Sequence, residues 1–404
     1  MQNQGFTYNN KFAEAKENQL TNARKSWQQF SYKLQNEHLH YQKLRTQPII
    51  APFQEIRKKL TSDEIIIEYA IDQERNDLFV FLISLKDFKI KKLKWSKDIE
   101  SKIDELYILL QDPVELQLFG KETYETLAFE LYELLVQPLA AEIRAYPHLK
   151  FIIEGALNYV PFEALLTNNQ SSEFATLPYL LRKHEISYHY STTLLNALDK
   201  KKRTNEVKQF FGFAPIRFAP DSKLAELKAS EEEIEKIGQI FQQNNYKAIL
   251  TIGETASQIA LKNNFNEPHR IFHIASHTNA NIKFPLHAEI ACADGEVKIG
   301  ELYNLKLQAD LLVLSSCKSG VGKLVIGEGM QGLNRNFIAE GVPNIMFSLW
   351  EVDDVQTKEL MIEFYKQMLS GENYSKALQK SKLKMIQKED VVPTFWSGFI
   401  FVGD

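Results

Sequence analysis

The sequence predicts an α/β fold whose sheet is mostly parallel and flanked by helices. Beyond residue 206, short apolar runs typical of buried strands alternate with segments of helical periodicity, as in parallel sheets covered by helices on both faces. Two of these runs, residues 271–276 and 311–316, are followed directly by His277 and Cys317. The pattern therefore predicts a fold class together with two reactive side chains at strand ends.

Composition excludes several classes of protein. The chain has 404 residues and is 44% apolar, which suffices for two domains or one large composite core. Its 48 basic and 52 acidic residues give a net charge of −4, which favours neither nucleic acid nor an anionic membrane surface. No apolar run reaches the roughly 18 residues of a membrane helix, and the N-terminus lacks a signal peptide's apolar core. With two cysteines and no disulfide framework, we expect a cytoplasmic protein with reduced thiols.

Residues 1–60 are predicted to form an N-terminal helical segment. Between positions 10 and 47 the sequence is rich in Gln, Asn and Lys, and apolar residues recur every three or four positions on one helical face: Leu20, Ala23, Trp27, Phe30 and Leu34. Pro48 and Pro52 end this pattern. Such a stripe must pack on the body of the protein, on a partner or on preceding helices.

Residues 61–205 are predicted to form a first α/β half. The expected elements are strands at 65–69, 78–83 and 88–93, helices at 97–111 and 121–145, a strand at 150–153, a helical turn at 161–166 and a strand at 186–190. This half contains no cysteine. We therefore expect it to extend the sheet and to hold no active site.

Residues 206–404 are predicted to form the second, catalytic half. Its expected elements are strands at 210–213, 248–250, 271–276, 311–316, 344–348 and 399–402, helices at 230–242, 254–264, 329–340, 354–369 and 374–387, and a hairpin around Asp294-Gly295. Strands and helices alternate along most of this half. The alternation is the ground for the predicted parallel sheet.

His277 and Cys317 are candidates for a catalytic pair. In an open parallel sheet the carboxyl ends of neighbouring strands share one crevice, where ligands bind. An imidazole and a thiol in that crevice provide a general base beside a nucleophile. Ser319, Gly320 and Gly322 follow the thiol and let a substrate backbone approach closely. A cysteine after an apolar strand is most often a small buried apolar residue, but its pairing with a strand-end histidine favours the catalytic reading.

No cofactor or metal is predicted. The segment from Gly320 to Lys323 lacks the first glycine of a phosphate-binding loop, because Cys317 stands there, and Leu324 follows the lysine. His273 and His277 are four residues apart but lie in a strand pattern without the glutamate of a helical zinc motif. Alternation along the strand places His273 on the same face as His277, as its structural neighbour.

The chain resembles the CHAT family, caspase-like domains of the clan that also holds caspases and separase. The resemblance covers residues 61–404 and is strongest from Phe272 onward. It rests on an ordered series of motifs: Leu157-Asn158-Tyr159-Val160-Pro161-Phe162-Glu163-Ala164-Leu165, His273-Ile274-Ala275-Ser276-His277, Ala309-Asp310-Leu311-Leu312-Val313-Leu314-Ser315-Ser316-Cys317-Lys318-Ser319-Gly320, Gly327-Glu328-Gly329-Met330-Gln331-Gly332-Leu333, Ser348-Leu349-Trp350-Glu351-Val352-Asp353-Asp354 and Phe395-Trp396-Ser397-Gly398-Phe399. The fold that this resemblance implies is caspase-like, preceded by a second α/β half and N-terminal helices.

The resemblance implies a cysteine endopeptidase in which His277 is the base and Cys317 the nucleophile. The expected oxyanion hole consists of the backbone amides of Thr278 and Cys317. The family usually has glycine after the catalytic histidine, whereas this chain has Thr278, a β-branched residue that disfavours positive φ. We then expect an oxyanion hole that is built differently or is completed only on activation.

Three acidic residues, Glu351, Asp353 and Asp354, match the region that faces a basic substrate side chain in separase-like relatives. They are candidates for an acidic S1 pocket. The alternative is that Asp353 or Asp354 caps the helix that follows, a common use of aspartate.

Two functions remain open. The first is an endopeptidase of narrow specificity in bacterial signalling or defence, which cleaves a gasdermin-like or other dedicated protein substrate. The family resemblance implies an activating protein partner or fused helical repeats, with no nucleic acid and no membrane contacted by the catalytic half. The second is a catalytically silent caspase-like scaffold, for which the only ground is Thr278.

Overall fold

The structure of the protein is a computed structural model. It describes residues 21, 24–26, 52–198, 207–219, 222–279, 287–302, 305, 307–315, 337–338, 341–389 and 391–403. The chain divides into two units, Met1–Pro52 and Phe53–Asp404. The predicted apolar stripe between Leu20 and Leu34 lies outside the described residues, as does the predicted domain boundary at 205.

Fourteen strands occur among the described residues of the second unit. They are β1 Glu64–Asp72, β2 Asp77–Ser84, β3 Phe88–Lys94, β4 His148–Ile152, β5 Glu185–His189, β6 Gln209–Ala214, β7 Lys247–Ile252, β8 Pro268–Ile274, β9 Thr278–Asn279, β10 Glu289–Cys292, β11 Gly295–Lys298, β12 Gln308–Leu314, β13 Asn344–Ser348 and β14 Phe399–Val402. Eleven of them form one sheet in the order β3-β2-β1-β4-β5-β14-β13-β12-β8-β6-β7. The other three form a small sheet in the order β11-β10-β9.

The large sheet consists of two parallel parts that run in opposite directions. Strands β1, β4, β5 and β14 are mutually parallel, and so are β13, β12, β8, β6 and β7. The two parts meet at β13 and β14, which pair antiparallel. Antiparallel strands β2 and β3 extend the first part to its edge. The predicted mostly parallel sheet is confirmed.

Helices flank this sheet. The α-helices described in the second unit are α1 Phe53–Arg57, α2 Lys97–Leu109, α3 Pro113–Leu118, α4 Lys121–Leu135, α5 Ala140–Ile143, α6 Thr192–Leu198, α7 Lys228–Gln243, α8 Gln258–Phe265, α9 Ile299–Leu302, α10 Asp354–Leu369, α11 Tyr374–Ile386 and α12 Thr394–Ser397. Of the predicted helix 329–340, only residues 337 and 338 are described, and both are helical. Among the described helices, none is long and apolar enough to cross a bilayer.

The single helix predicted over residues 121–145 is wrong. Helix α4 ends at Leu135, a 3₁₀ turn spans Gln137–Leu139, and α5 follows. The cause is Pro138, which has no backbone N–H to donate and whose ring clashes with the preceding turn. The apolar pattern continues through the break, and Val136 and Leu139 are both fully buried.

Strands β8 and β12 lie side by side inside the second part of the sheet. β12 is buried at every position after Gln308, and β8 is buried over its last four residues. Strands covered on both faces carry continuous apolar runs instead of alternating ones, which explains why both were visible in the sequence. Their register pairs Ile274 of β8 with Leu314 of β12.

Candidate active site

The two candidate catalytic residues leave neighbouring strands at the same level of the sheet. Ile274 and Leu314 are register partners, and the Ser315 amide donates to the Ile274 carbonyl oxygen at 3.0 Å. By sequence, His277 and Cys317 each follow these partners by three residues. Cys317 itself lies outside the described residues, as do positions 316 and 318–336. The structure therefore brings together the strand ends that lead to the predicted pair.

The His277 ring is buried and oriented by a backbone carbonyl. Its Nε2 lies 2.9 Å from the Ala225 oxygen, three residues before α7 begins. A carbonyl oxygen only accepts hydrogen bonds, so Nε2 carries the hydrogen and Nδ1 of the neutral ring is the nitrogen able to take a proton. The Phe218 ring packs against the imidazole with 5.0 Å between centroids. Sequence reasoning missed Ala225, because every residue has a carbonyl and its identity gives no signal.

Thr278 is extended, with its amide directed away from the neighbouring strand. It lies in β9 opposite Ile290, and the Ala291 amide donates to the His277 oxygen at 2.9 Å. In an antiparallel ladder this arrangement makes Thr278 and Ile290 a non-hydrogen-bonded pair, so that the N–H of Thr278 points to the outer edge of β9. Thr278 is not among the described residues of positive φ. A β-branched residue therefore fits here without backbone strain.

An open groove of ≈ 640 Å³ lies beyond Phe218, at the ends of β6 and β7. Strand β8 separates these strands from β12, so the groove lies on the side of His277 away from the strand that leads to Cys317. Its lining residues come from four segments: Pro215, Ile216, Arg217, Phe218, Glu226, Lys228, Glu231, Gly253, Glu254 and Ala293.

The candidate S1 residues have different environments. Asp353 is the N-cap of α10, where its side chain accepts a hydrogen bond from the Gln356 amide at 2.9 Å. Asp354 accepts from the Ala229 amide at 2.6 Å, and burial raises the pKa of its carboxyl. Glu351 is exposed. The capping alternative is thus what the structure has for Asp353, which is exposed as Glu351 is.

The environment of the other cysteine, Cys292, keeps its thiol protonated. Cys292 ends β10 and is fully buried, and burial raises the pKa of its thiol to about 12. A thiol of that pKa is almost never a thiolate near neutral pH. We therefore expect Cys292 to be chemically inert.

A buried polar cluster lies beneath the strand ends. His273 of β8 contacts Tyr365 through Nδ1 and Ser315 through Nε2, and Glu233 of α7 approaches the same Nε2. His273 was predicted as a structural neighbour, whereas Glu233 and Tyr365 were not predicted. A signal for Glu233 does exist, since it precedes buried Ile237 by four residues and therefore lies on the apolar face of its helix.

The order of the strands is that of a caspase-like α/β fold. Its candidate site follows the ends of the adjacent parallel strands β8 and β12. The CHAT domain family model matches residues 125–404, and the chain belongs to this family. The resemblance stated from the motifs is confirmed.

The chain is also similar to curated relatives and to solved structures. The chain is 24% identical to tetratricopeptide repeat protein 28 of Mus musculus and of Homo sapiens, in each case over 68% of the chain and 13% of the relative. It thus spans about an eighth of those proteins' length. The Saccharomyces cerevisiae separase–securin complex matches with a TM-score of 0.50 and 11% identity, over 87% of this chain and 30% of that one. The Arg-specific cysteine proteinase gingipain R matches with a TM-score of 0.45 and 9% identity, over 88% and 78%. The separase comparison supports the fold.

Proposed function

We propose that the protein is a cysteine endopeptidase of narrow specificity, with His277 as general base and Cys317 as nucleophile. The observation that carries this proposal is the register of β8 and β12, in which both residues follow a partnered pair by three positions. Membership of the caspase-like CHAT family supports it. So does the orientation of His277, whose Nδ1 is left for the thiol.

In the first half-reaction, Nδ1 of His277 takes the proton of the Cys317 thiol. The thiolate attacks the carbonyl carbon of the scissile peptide, and a C–S bond forms. The C–N bond then breaks, and the imidazolium returns the proton to the departing amine. The product is a thioester on Cys317 and a free amine. The leaving chain must lie on the histidine side of the thiol, where the groove beside Phe218 is open.

In the second half-reaction, water hydrolyses the thioester. His277 takes a proton from the water, a C–O bond forms, the C–S bond breaks and the sulfur recovers its proton. Each tetrahedral intermediate has an oxyanion that needs donors. We assign this role to the backbone N–H groups of Thr278 and Cys317. The outward direction of the Thr278 amide supports the assignment, because that N–H is not used in pairing with β10.

Substrate choice is proposed to depend on the acidic residues that follow Trp350. An S1 pocket formed by Glu351, Asp353 and Asp354 would favour a basic residue before the cleaved bond. Since Asp353 caps a helix and Asp354 bonds the start of α7, we assign the larger share to Glu351. A peptide library varied at this position tests the assignment, and a preference for an apolar residue there contradicts it.

The substrate is proposed to be a dedicated protein in bacterial signalling or defence, gasdermin-like or otherwise. A partner protein or fused helical repeats would activate the enzyme, an idea supported by the name of the curated relatives as tetratricopeptide repeat proteins. The alternative is a silent scaffold. Thr278 is not among the described residues of positive φ, which supports the peptidase proposal.

Labelling with a peptidyl acyloxymethyl ketone tests the proposal. We expect one adduct per chain, located on Cys317 by peptide mass spectrometry and absent in Cys317→Ala. Cys292→Ala is the matched control and should label as the wild type does. Candidate substrates and activators, starting with the products of neighbouring genes, are added in parallel reactions. Absence of labelling in every one of these reactions contradicts the proposal and favours the scaffold.

A further inference from the structure

The cluster beneath the strand ends is completely enclosed and reaches both candidate catalytic segments. Glu233, His273, Ser315 and Tyr365 are each no more than 1% exposed. His273 precedes His277 by four residues, and Ser315 precedes Cys317 by two. The cluster thus lies directly behind the two strand exits, outside the pair that would perform the chemistry.

Both nitrogens of His273 have close partners. Nδ1 lies 2.7 Å from Tyr365 Oη, and Nε2 lies 2.9 Å from Ser315 Oγ. Burial raises the pKa of Tyr365 well above its usual value, so its hydroxyl keeps its proton and can donate to Nδ1. Nε2–H then donates to Ser315. Ser315 is therefore held twice, through its side chain by His273 and through its amide by Ile274.

The Glu233 carboxylate makes a different kind of contact. Its Oε1 is 2.9 Å from His273 Nε2 but lies off the N–H direction, and among the described residues it has no hydrogen-bond partner. A buried carboxylate without full hydrogen bonding is unfavourable, and apolar packing in its place is often neutral or stabilising. Its negative charge favours a hydrogen, and hence partial positive charge, on the facing nitrogen of His273. Glu233 and Tyr365 therefore favour the same tautomer, in which Nε2 holds the hydrogen that Ser315 accepts.

We propose that Glu233 and Tyr365, acting through His273 on Ser315, are positioning residues that hold the end of β12 so that Cys317 meets His277. This inference rests on the proposed function. It is supported by helix α7, which begins three residues after Ala225 and also contains Glu233. The same helix therefore connects the carbonyl that orients His277 to the cluster that holds Ser315.

The test measures alkylation of Cys317 by iodoacetamide across pH in the full chain, followed by peptide mass spectrometry. A thiol that is held beside an imidazole titrates below the ordinary value of about 8.5. We expect Glu233→Gln and Ser315→Ala each to slow alkylation at neutral pH by roughly tenfold and to move the midpoint towards that ordinary value. The double variant should be no slower than the slower single variant, because both changes break one chain of contacts.

Glu163→Gln is the matched control. Glu163 is equally buried and pairs with Lys382 at 3.0 Å in the other half of the sheet. We expect it to lower the melting temperature without moving the alkylation midpoint. Tyr365→Phe keeps the ring and removes only the hydroxyl, so it provides a second variant if Glu233→Gln does not fold. A roughly threefold slower alkylation is expected for it.

Wild-type rates and midpoints in Glu233→Gln, Ser315→Ala and Tyr365→Phe would overturn the proposal, and so would additive effects in the double variant. The outcome is separate from that of the proposed function, because iodoacetamide needs no substrate recognition. A midpoint that moves in the variants while peptidyl electrophiles never label Cys317 leaves the positioning role standing and rejects the peptidase. Peptidyl labelling of Cys317 with unmoved midpoints gives the opposite result.

Discussion

Two buried glutamates, one in each part of the sheet, are held in contrasting ways. Both carboxylate oxygens of Glu163 have a partner. Lys382 lies 3.0 Å from Oε1, and Tyr188 donates to Oε2 at 2.5 Å. Oε1 of Glu233 has an off-line contact with His273 and, among the described residues, no hydrogen-bond partner. The first arrangement joins α11 to the motif at 157–165. The second lies behind the strand ends of the candidate site. A buried polar group whose hydrogen bonds are incomplete is typical of a functional site.

The difference teaches that burial of a charge does not by itself indicate a site. Both glutamates are 1% exposed. What separates them is whether the neighbours of the carboxylate complete its hydrogen bonds and whether the chain leads on to reactive groups. Glu163 is expected to matter for stability, and Glu233 for geometry at Cys317.

The largest effect is expected from a comparison of two histidines near strand ends, His277 in the second part of the sheet and His189 in the first. His277→Ala should reduce the rate of Cys317 labelling by a peptidyl electrophile about 10²–10⁴-fold, because the general base is removed. His189 ends β5 in the first part of the sheet and is also buried. His189→Ala should stay within about threefold of the wild type. A large loss of labelling rate in His189→Ala, or no loss in His277→Ala, would contradict the assignment of the site to the second part of the sheet.

The next largest effect is expected for the buried ion pair of Glu163 and Lys382, beside the first part of the sheet. Lys382→Met leaves Glu163 as a buried carboxylate without its cation and should lower the free energy of unfolding by about 3–5 kcal/mol. Combining it with Glu163→Gln should recover most of this loss, since no uncompensated charge remains. Urea unfolding measures both. If the double variant is as unstable as the single one, then packing and not charge explains the effect.

A pH-dependent effect of about 3 kcal/mol is expected at His269, the second residue of β8. Its Nε2 lies 3.0 Å from the Asn264 oxygen and its Nδ1 3.1 Å from Gln209 Nε2, an arrangement that suits the neutral ring. Burial lowers its pKa to about 4, against about 6.5 in the unfolded chain. Between these values only the unfolded state binds the proton, so stability falls as pH decreases from 6.5 to 4.

His269→Gln should flatten this part of the stability curve. Urea unfolding at several pH values gives the slope directly. An unchanged slope in the variant would mean that other groups cause the acid sensitivity. His189→Gln, in the first part of the sheet, serves as the comparison variant.

The smallest effect compares two helix caps. Asp353 caps α10, and Ser96 caps α2 by accepting from the Ile99 amide at 3.3 Å. Replacement of either by alanine should cost about 1 kcal/mol of stability. If Asp353 is only a cap, Asp353→Ala will leave the residue preference of the enzyme unchanged. A lost preference for a basic residue would restore Asp353 to the S1 pocket.

Periodicity was sufficient to predict most strands and the longer helices. Helix α10 and strand β14 have the predicted bounds, because a capping aspartate and an apolar run between turn residues are local signals. The break at Pro138 was missed although its cause is visible in the sequence. Apolar periodicity that continues across a proline conceals it.

The remaining features depend on contacts between distant residues. Strands β13 and β14 run in opposite directions, which the sequence does not indicate. Buried parallel and buried antiparallel strands have the same continuous apolar pattern. The link between Glu233 and His273 joins residues 40 positions apart, and the Ala225 carbonyl lies 52 positions from His277. The sequence suggests His277 and Cys317 as a candidate pair because each residue follows an apolar strand pattern directly. It does not indicate their supporting residues, which are distant along the chain.

The pH profile of Cys317 alkylation in wild type and in His277→Ala tests the central claim most directly. If the two strand ends bring the imidazole to the thiol, the wild-type midpoint will lie below about 7.5 and will rise to about 8.5 when His277 is removed. Cys292 will remain unmodified in both proteins. A wild-type midpoint near 8.5 that does not change in His277→Ala would contradict the account.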